Sequence, residues 1–389
     1  MKRLALLSTY FPIREFPGRG QSAYHTLLQL RSRFEIAVFC PHLDYPTWLE
    51  PRKHNYVRPD FSHQPEGIRT HYFNVPALPL LTRPVNGYLI ASKARPLVEA
   101  FGPDIILNYT VFPDGHAAVL TARRLGVPVV LGAIGSDINR MPDPITRRFT
   151  LRTLSQADFL ITVSEHLRRT AISLGVSPER CRAVHNGCDG QQFQPSERTP
   201  ARQALGIPPD AYLVVFTGWI AETKGVPELL EAFSRLAPQH PRLHLACLGR
   251  GHLVEPALAR FRAEGLEGRI HFPGFVTSSQ LAQWLAACDL STLPSHMEGC
   301  PNVVLEALHA GRPVLATNVG GIPEIVRRPE QGVLIPPRSP AHIAEAIESM
   351  MSQDWDAQAI RRVSQRSWSD AADDTAAILD EVMLRGPRR

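Results

Sequence analysis

Apolar residues in the first half of the chain fall into short runs that alternate with stretches of helical length. Short apolar runs bounded by turn residues are typical of strands buried on both faces of a sheet. The strands predicted in this way are Arg3–Ser8, Ile36–Cys40, Thr70–Val75, Ile105–Asn108, Pro128–Ala133 and Phe159–Val163. The clearest helices are Ser22–Ser32, Asp114–Leu125 and Glu165–Leu174. This alternation predicts a parallel sheet covered by helices on both faces.

The alternation starts again after a turn-rich stretch, Asn186–Pro209, whose clustered Gly and Pro predict a linker and a domain boundary. The strands predicted beyond it are Tyr212–Thr217, Leu243–Leu248, Ile270–Phe272, Leu290–Leu293 and Val314–Thr317. The helices are Pro227–Leu236, Ser279–Ala287, Pro301–Ala310 and Pro340–Met350. The pattern predicts an α/β fold with two facing Rossmann-like doubly wound domains. Because ligands bind outside the carboxyl ends of parallel strands, we expect the two domains to share a cleft.

Composition narrows the class of protein. Of the 389 residues, 44% are hydrophobic and 20% are charged, which is ordinary for a globular protein of two domains. No apolar run approaches the length of a membrane span, and Leu4–Leu7 is too short for a signal-peptide core, so a cytoplasmic protein is expected. The six cysteines form no C-x-x-C pair and have no neighbouring histidine cluster, so neither disulfides nor a metal site is predicted.

Charge is distributed unevenly along the chain. Residues 1–194 contain 23 Lys+Arg and 15 Asp+Glu, a net +8, whereas residues 195–389 contain 19 and 22, a net −3. A basic half is typical of proteins that meet a phosphorylated acceptor, an anionic lipid surface or a nucleic acid, and net charge does not choose between these. A basic solvated face without a partner is the alternative.

The segment from Pro294 to Ala307 is the most informative in the chain, because a strand end, a loop of small residues and a helix start follow one another there. If Asn302 caps the helix, the free amides of Val303 and Val304 and the positive end of the helix dipole form a cradle for a diphosphate. Glu306, about one turn further on, can accept hydrogen bonds from both hydroxyls of a ribose. Glu298 and Gly299, on the loop, would face the attached sugar. A capped helix with surface glutamates is the alternative.

This segment resembles the family-four retaining glycosyltransferases of the GT-B fold, whose hallmark is two glutamates with seven residues between them, as in Glu298 and Glu306. The residues from Gly311 to Thr317 and from Gly320 to Val326 also match the signature sequence of the family. The stretch Phe216–Gly225 looks like the loop that supplies a diphosphate-binding lysine, here Lys224, and it includes Gly218.

The chain departs from the family pattern at one donor-binding position. Trp219 stands where members of the family usually carry an arginine, and Arg250 is one possible substitute. Asn186-Gly187-Cys188-Asp189 resembles the linker motif of the family, and the region of Trp368 resembles its closing helix. The resemblance implies an acceptor-binding domain at 1–190, a nucleotide-sugar-binding domain at 191–365, and a helix at 366–389 that returns to the first domain.

Gly18-Arg19-Gly20 follows the first strand and precedes a helix, so bare backbone there could approach the donor phosphate or the reacting sugar. The same glycines, with Ala23, mimic a dinucleotide fingerprint. About nine residues separate them from the strand end, which the Rossmann turn does not allow. A plain pair of loop glycines is a further alternative.

Asp114 and His116 closely follow the fourth predicted strand. The sequence around them resembles that of a subgroup of bacterial surface-polysaccharide transferases. Members of the wider family usually carry a histidine at the position of Ile134. The subgroup also lacks that histidine. Asp114 and His116 could orient or deprotonate the acceptor, since a histidine titrates near neutral pH. The alternative is that His116 faces solvent on a helix.

Two segments combine basic and apolar residues. Arg147, Arg148 and Arg152 alternate with apolar residues. The stretch Leu78–Leu97 mixes apolar residues with three basic ones, Arg83, Lys93 and Arg95. Such faces can rest on an anionic membrane. A helix packed on the sheet with solvated arginines is the alternative.

The resemblance implies a retaining hexosyltransferase that needs no metal and transfers a sugar from a nucleotide diphosphate, a UDP-sugar in our interpretation. The expected acceptor is a lipid-linked or polysaccharide hydroxyl, and no nucleic acid partner is expected. Three rival functions stay open: a UDP-sugar epimerase or hydrolase on the same fold, a catalytically silent nucleotide-sugar sensor, and a nicotinamide-dependent oxidoreductase. The last rests only on the Gly18–Ala23 string.

Overall fold

The structure is a computed structural model that describes residues 1–49, 58–79, 81–141 and 143–388. The chain divides into two compact units. The first consists of Met1–Asn186 together with Trp368–Arg389, and the second of Gly187–Ser367. The predicted boundaries, after residues 190 and 365, lie within a few residues of these divisions. Among the described residues, no helix is both long enough and apolar enough to cross a bilayer.

The first unit contains a seven-stranded sheet in the order β3-β2-β1-β4-β5-β6-β7. All its strand pairs are parallel. Its strands are β1 (Lys2–Leu7), β2 (Phe34–Asp44), β3 (Arg69–Pro76), β4 (Ile105–Asn108), β5 (Val129–Ala133), β6 (Phe159–Thr162) and β7 (Cys181–Ala183). Its first six helices are α1 (Gln21–Leu30), α2 (Asn86–Phe101), α3 (Asp114–Leu125), α4 (Ser136–Asn139), α5 (Pro144–Gln156) and α6 (Glu165–Ser173).

The second unit repeats the architecture with a six-stranded parallel sheet in the order β10-β9-β8-β11-β12-β13. Its strands are β8 (Tyr212–Thr217), β9 (Leu243–Leu248), β10 (Ile270–Gly274), β11 (Leu290–Leu293), β12 (Val314–Thr317) and β13 (Gly332–Ile335). Its helices are α7 (Arg198–Leu205), α8 (Val226–Leu236), α9 (Val254–Ala263), α10 (Ser278–Ala287), α11 (Asn302–His309), α12 (Ile322–Ile325), α13 (Pro340–Met351) and α14 (Ala357–Arg362).

The last helix, α15 (Trp368–Arg385), belongs to the first unit and packs on α1. Its apolar face joins the core formed by β1, β4 and α1. Trp368 is buried and stacks on the ring of His25, with 5.2 Å between the ring centroids. A stacked aromatic pair of this kind fixes the start of the helix against the first unit.

The predicted fold class is confirmed: both units have parallel strands with interleaved helices. The linker prediction is wrong in its second half, because α7 forms within it. Pro200 lies in the first turn of that helix, where the missing N–H costs nothing. The buried guanidinium of Arg202 then anchors α7, donating to the carbonyl of Ala287 at 3.1 Å and to Asp289 at 2.6 Å. Two short edge strands, β7 and β13, were not predicted.

One buried histidine in the second sheet predicts an acid-sensitive fold. His244 on β9 stacks on His271 on β10, and burial, reinforced by His271 and Arg269, lowers the pKa of His244 to about 4. The folded state therefore keeps the ring neutral, while the unfolded chain takes up a proton below its ordinary pKa of about 6.5. The stabilisation is complete above that value and is lost as the pH falls toward 4.

We therefore expect the free energy of unfolding to drop between pH 7.5 and pH 5.5, and His244→Gln to reduce this drop by about 1 kcal/mol. Urea unfolding at the two pH values measures it. His342→Gln, at an exposed histidine of α13, is the matched control and should behave as the wild type does. An equal drop in wild type and His244→Gln would contradict the prediction.

Candidate active site

Helix α11 begins at the carboxyl end of β11, after the loop of residues 294–301. Asn302 does not cap it, so that prediction is wrong. Pro301, in extended conformation, is the residue before the helix, and Asn302 is the first helical residue. Of the two amides predicted to be free, that of Val304 donates to the carbonyl of Pro301 at 3.2 Å. The amide of Val303 lies in the first turn, which has no i−4 carbonyl within the helix.

Lys224 and Glu298 form an ion pair beside this loop. The Lys224 Nζ lies 2.5 Å from Glu298 Oε1, which also accepts a hydrogen bond from Ser295 Oγ at 2.7 Å. The side chains of Lys224 and Glu298 are 30% and 10% exposed. The two residues that the sequence assigned to the donor diphosphate and the donor sugar are thus in direct contact.

Gly225 allows the turn that carries Lys224 to pack against the end of β11. Lys224 ends a 3-10 turn, Glu222–Lys224, and Gly225 follows it with φ +68°. A Cβ at residue 225 would overlap the carbonyl group of Pro294, so this close approach requires glycine. This contact holds the backbone of the turn that carries Lys224 against the end of β11.

Glu306 lies in the second turn of α11, half-buried, and burial raises the pKa of its carboxyl group to about 7. Burial raises the pKa of the Cys188 thiol, and the nearby charge of Glu306 raises it further. A carboxylate kept from water gains more from two hydroxyl donors than an exposed one does. Gly299, between the two glutamates, is buried.

Gly218 and Arg250 lie on adjoining loops at the ends of β8 and β9. The amide of Gly218 donates to the carbonyl of Leu248 at 2.9 Å, and the amide of Ile220 donates to the carbonyl of Arg250 at 2.9 Å. The exposed guanidinium of Arg250 lies over the ring of Phe275, 5.9 Å from its centroid. The backbone therefore brings Arg250 beside the turn that contains Trp219.

The sequence analysis missed a second, partly buried pair at this site. His296 Nε2 lies 2.8 Å from Glu228 Oε1, and the amide of His296 donates to the carbonyl of Thr223, next to Lys224. The other carboxylate oxygen of Glu228 is buried without a hydrogen-bond partner in the described part of the chain. Glu228 lies on α8, some seventy residues from His296 in sequence, so no local pattern links them.

In the first unit, Asp114 holds the loop that follows β1. Its Oδ2 accepts hydrogen bonds from the amide of Thr9 at 2.6 Å, from the hydroxyl of Thr9 at 2.8 Å and from Ser8 Oγ at 3.4 Å. The side chain is almost fully buried at the start of α3. These bonds occupy one of the two oxygens of the carboxylate that the sequence analysis assigned to the acceptor.

His116 is a buried histidine, and the alternative that it faces solvent is wrong. It is 1% exposed and packs among the rings of Tyr88, Phe112 and Phe149. Its Nδ1 lies 3.0 Å from the hydroxyl of Thr153, and burial, followed by the charges of Arg152 and Arg123, lowers its pKa to about 4. A ring with that pKa is a weak proton acceptor at neutral pH, which speaks against its predicted role as a base.

Gly20 precedes α1 in left-handed conformation, with φ +65°. A Cβ at this position would overlap the carbonyl of Tyr10, so the bare backbone of Gly20 packs against the loop after β1. The close approach that was predicted for a ligand is therefore made, on that side of Gly20, by the loop after β1.

The first unit contains a cavity of about 690 Å³ at the carboxyl ends of β1, β4 and β5. Asp114 and Asp137 both line it. Burial raises the pKa of Asp137 to about 6, although the amides of Val111, Ile134 and Gly135 donate to its carboxylate.

The three arginines predicted to face acceptor or membrane, Arg147, Arg148 and Arg152, are exposed on α5. Ile145, near the start of the same helix, is 51% exposed, and Leu81 is 77% exposed. Arg83 lies 3.5 Å from Asp143, which connects the segment before α2 to the start of α5. Of the predicted stretch Leu78–Leu97, Leu80 lies outside the described residues.

Comparison with known proteins identifies both halves of the chain. Residues 18–187 match the family model described as glycosyl transferase 4-like domain, and residues 197–367 match the model described as glycosyl transferases group 1. TuaC of Bacillus subtilis (strain 168), which is provisionally assigned as a teichuronic acid biosynthesis glycosyltransferase, is 31% identical over 89% of this chain and 88% of its own length. A D-inositol 3-phosphate glycosyltransferase of Nocardioides sp. is 27% identical over 91% of this chain and 83% of its own length.

Solved structures agree on the fold. HepE of Anabaena, crystallised with UDP and glucose, has a TM-score of 0.76 and 20% identity, and the match covers 98% of this chain and 99% of HepE. WaaG, a glycosyltransferase involved in lipopolysaccharide biosynthesis, has a TM-score of 0.65 and 17% identity over 99% of both chains. With the domain matches and the relative at 31% identity, these findings show that the chain belongs to the family-four glycosyltransferases of the GT-B fold.

Proposed function

We propose that this glycosyltransferase moves a hexosyl group from a UDP-sugar, without a metal ion and with retention of the anomeric configuration, to a hydroxyl of a lipid-linked or polysaccharide acceptor. The observation that carries the proposal is the Lys224–Glu298 ion pair at the start of α11, with Glu306 one turn further along that helix. The arrangement offers a cation and a helix N-terminus to a diphosphate, and a carboxylate to a ribose.

In the proposed reaction, Lys224 and the first turn of α11 stabilise the charge that develops on the departing diphosphate, a task that a metal ion performs in other enzymes. The acceptor oxygen forms a bond to the anomeric carbon on the face from which the diphosphate leaves. The bond between that carbon and the phosphate oxygen breaks, and the departing phosphate takes the proton of the acceptor hydroxyl. The buried state of His116 supports a mechanism in which no histidine base is used.

The identities of donor and acceptor are supported by the relatives. The presence of UDP and glucose in the HepE crystal favours a UDP-sugar as the donor. The assignment of TuaC to teichuronic acid biosynthesis favours a bacterial surface polysaccharide as the acceptor. The basic first half of the chain, with its net charge of +8, agrees with an acceptor that carries phosphate.

The test is release of nucleoside diphosphate from a panel of UDP-, GDP-, dTDP- and ADP-sugars in the presence of EDTA, with and without an undecaprenyl-diphosphate-linked acceptor mixture. We expect release from one UDP-sugar that depends on the acceptor. Release or epimerisation without acceptor would favour the epimerase or hydrolase, and binding without turnover would favour the silent sensor. Activity that EDTA abolishes would contradict the metal-independent mechanism.

Substitutions of the two glutamates should impair different steps, donor binding and turnover. Glu306→Gln keeps the size of the side chain but loses the charge that accepts two ribose hydroxyls, so donor affinity should fall about 10- to 100-fold. Glu298→Gln removes the partner of Lys224, so kcat should fall by about two orders of magnitude with a smaller change in KM for the donor. Steady-state kinetics with titration calorimetry of the donor separates these effects, and unchanged kinetics in both variants would contradict the assignment.

The raised pKa of Glu306 adds a pH signature to that experiment. Only the ionised carboxylate accepts both hydrogen bonds, so donor affinity of the wild type should rise as the pH increases through about 7. Glu306→Gln should show no such rise. Because Gln at position 306 cannot titrate, the variant is its own control for pH effects elsewhere in the protein.

The arginines of α5 and the exposed apolar residues near them support peripheral binding to the inner face of the cytoplasmic membrane. Arg147, Arg148 and Arg152 supply charge, and Leu81 and Ile145 supply apolar area. Each basic residue near an anionic surface contributes about 1 kcal/mol. We therefore expect the triple variant to Gln at the three arginines to lose about 100-fold in affinity for vesicles containing anionic lipid.

Co-sedimentation with anionic and with zwitterionic vesicles measures this difference. The matched control removes the same charge from the second unit, with Gln at the exposed residues Arg242, Arg262 and Arg338. Equal binding of the two triple variants to anionic vesicles would rule out α5 as the membrane face.

A further inference from the structure

The cavity of the first unit contains buried polar atoms that have no partner. Asn86 Oδ1, Thr110 Oγ1 and Thr150 Oγ1 are buried in its wall and accept or donate no hydrogen bond within the described residues. Asn86 is 6% exposed and Thr150 is fully buried. Since buried polar groups nearly always have partners, three such atoms in one wall indicate that a polar ligand completes them.

The carboxylates in the cavity wall already have hydrogen-bond partners, so the charge of the wall that is left uncompensated is positive. Asp114 is occupied by Ser8 and Thr9, and Asp137 accepts from three backbone amides. Arg140 also lines the cavity, is exposed, and forms no ion pair with any residue that the structure describes. Arg83 lines the cavity too, and its guanidinium is only loosely paired, 3.5 Å from Asp143. Two arginines with so little compensation favour an anionic group in this cavity over a neutral one.

Aromatic side chains form another part of the wall. Tyr10, Tyr45 and Phe112 line the cavity, and the ring of Phe112 stacks on Phe149 with 5.6 Å between the centroids. Flat apolar faces beside hydrogen-bonding oxygens suit a ring that is apolar on its faces and hydroxylated at its edge. A cavity of about 690 Å³ has room for such a ring and its substituents.

We propose that this cavity binds the acceptor as a sugar ring that carries a phosphate group, with the phosphate on Arg140 and Arg83 and the hydroxyls on Asn86, Thr110 and Thr150. The inference rests on the proposed function, which needs an acceptor site, and it assigns that site to a cavity contained entirely in the first unit. The phosphate has two possible sources: a free sugar phosphate, or a saccharide joined through diphosphate to a lipid. Leu78 in the wall and the exposed Leu81 beyond it would accompany the lipid.

The experiment measures binding by titration calorimetry, without donor, for glucose 1-phosphate, N-acetylglucosamine 1-phosphate, the two free sugars and inorganic phosphate. A separate arm uses a short-chain prenyl-diphosphate-linked N-acetylglucosamine in zwitterionic vesicles. We expect a phosphorylated sugar to bind at least 10-fold more tightly than its free sugar, and affinity to fall with salt. Tighter binding in the vesicle arm assigns the phosphate to a lipid-linked saccharide, and tighter binding of a soluble probe assigns it to a free sugar phosphate.

Three variants test the residues. Arg140→Gln should weaken every phosphate-bearing probe about 10-fold or more. Thr150→Val, which keeps the shape and removes the hydroxyl, should weaken the sugar phosphates and leave inorganic phosphate unchanged. Arg124→Gln, an exposed arginine at the opposite end of α3 from Asp114, is the control and should bind as the wild type does.

UDP binding to each variant shows that the second unit is intact and separates this inference from the proposed function. Absent UDP binding in the wild type would count against the transferase proposal, whatever happens in the cavity. With UDP bound normally, equal affinity for free and phosphorylated sugars would overturn the inference. So would unchanged binding in Arg140→Gln, or no binding of any phosphate-bearing probe at about 10 mM.

Discussion

The donor-side geometry depends on backbone segments that approach too closely for a side chain to lie between them. Residue 225 passes against the carbonyl of Pro294, and residue 320 passes against the backbone of Glu298; at both positions a Cβ would overlap a main-chain oxygen. These contacts press the turn that carries Lys224, the loop after β11 and the loop after β12 onto one another. The distance of 2.5 Å between Lys224 and Glu298 is a consequence of that packing. Rigid backbone holds these functional groups in place, so their orientation costs little when a ligand arrives.

The same ion pair sets the energetics of donor binding. In the free protein Glu298 compensates the charge of Lys224, and both side chains are largely shielded from water. A diphosphate therefore has to compete with a carboxylate for the lysine, and Glu298 must find another donor once Lys224 turns to the phosphate. Hydroxyls of the transferred sugar are donors of the right kind. The pair thus links binding of the diphosphate to binding of the sugar, because a nucleoside diphosphate without its sugar would leave Glu298 with the hydroxyl of Ser295 as a donor but without a cation.

Local sequence patterns predicted the strands well because buried strands of a parallel sheet are short apolar runs, and β4, β8, β9, β11 and β12 have the predicted bounds. The same patterns failed where tertiary contacts decide. A helix formed in the predicted linker because Arg202 finds acceptors at Ala287, the last residue of α10, and at Asp289, far away in sequence. The helix cap failed because Pro301, not Asn302, precedes α11. The Glu298–Glu306 spacing was visible in the sequence, but the pairing of His296 with Glu228 was not, since it joins two elements that only the folded chain brings together.

The first unit shows why reactive residue types near a strand end do not by themselves locate a reaction. Asp114 and Gly20 lie where a ligand was expected, yet both hold the loop that follows β1, one through its carboxylate and the other through its bare backbone. His116, two residues further along α3, is enclosed by aromatic rings; its Nδ1 contacts Thr153, while its Nε2 is buried without a hydrogen-bond partner among the described residues. What remains for a ligand in that unit is the set of groups that the fold leaves uncompensated, which are amide and hydroxyl oxygens without partners and an arginine without an ion pair among the described residues. A buried polar group without a hydrogen-bond partner costs stability that binding of a ligand would restore. Such a group is therefore a stronger indication of a ligand than a reactive side chain that already has its partners within the protein.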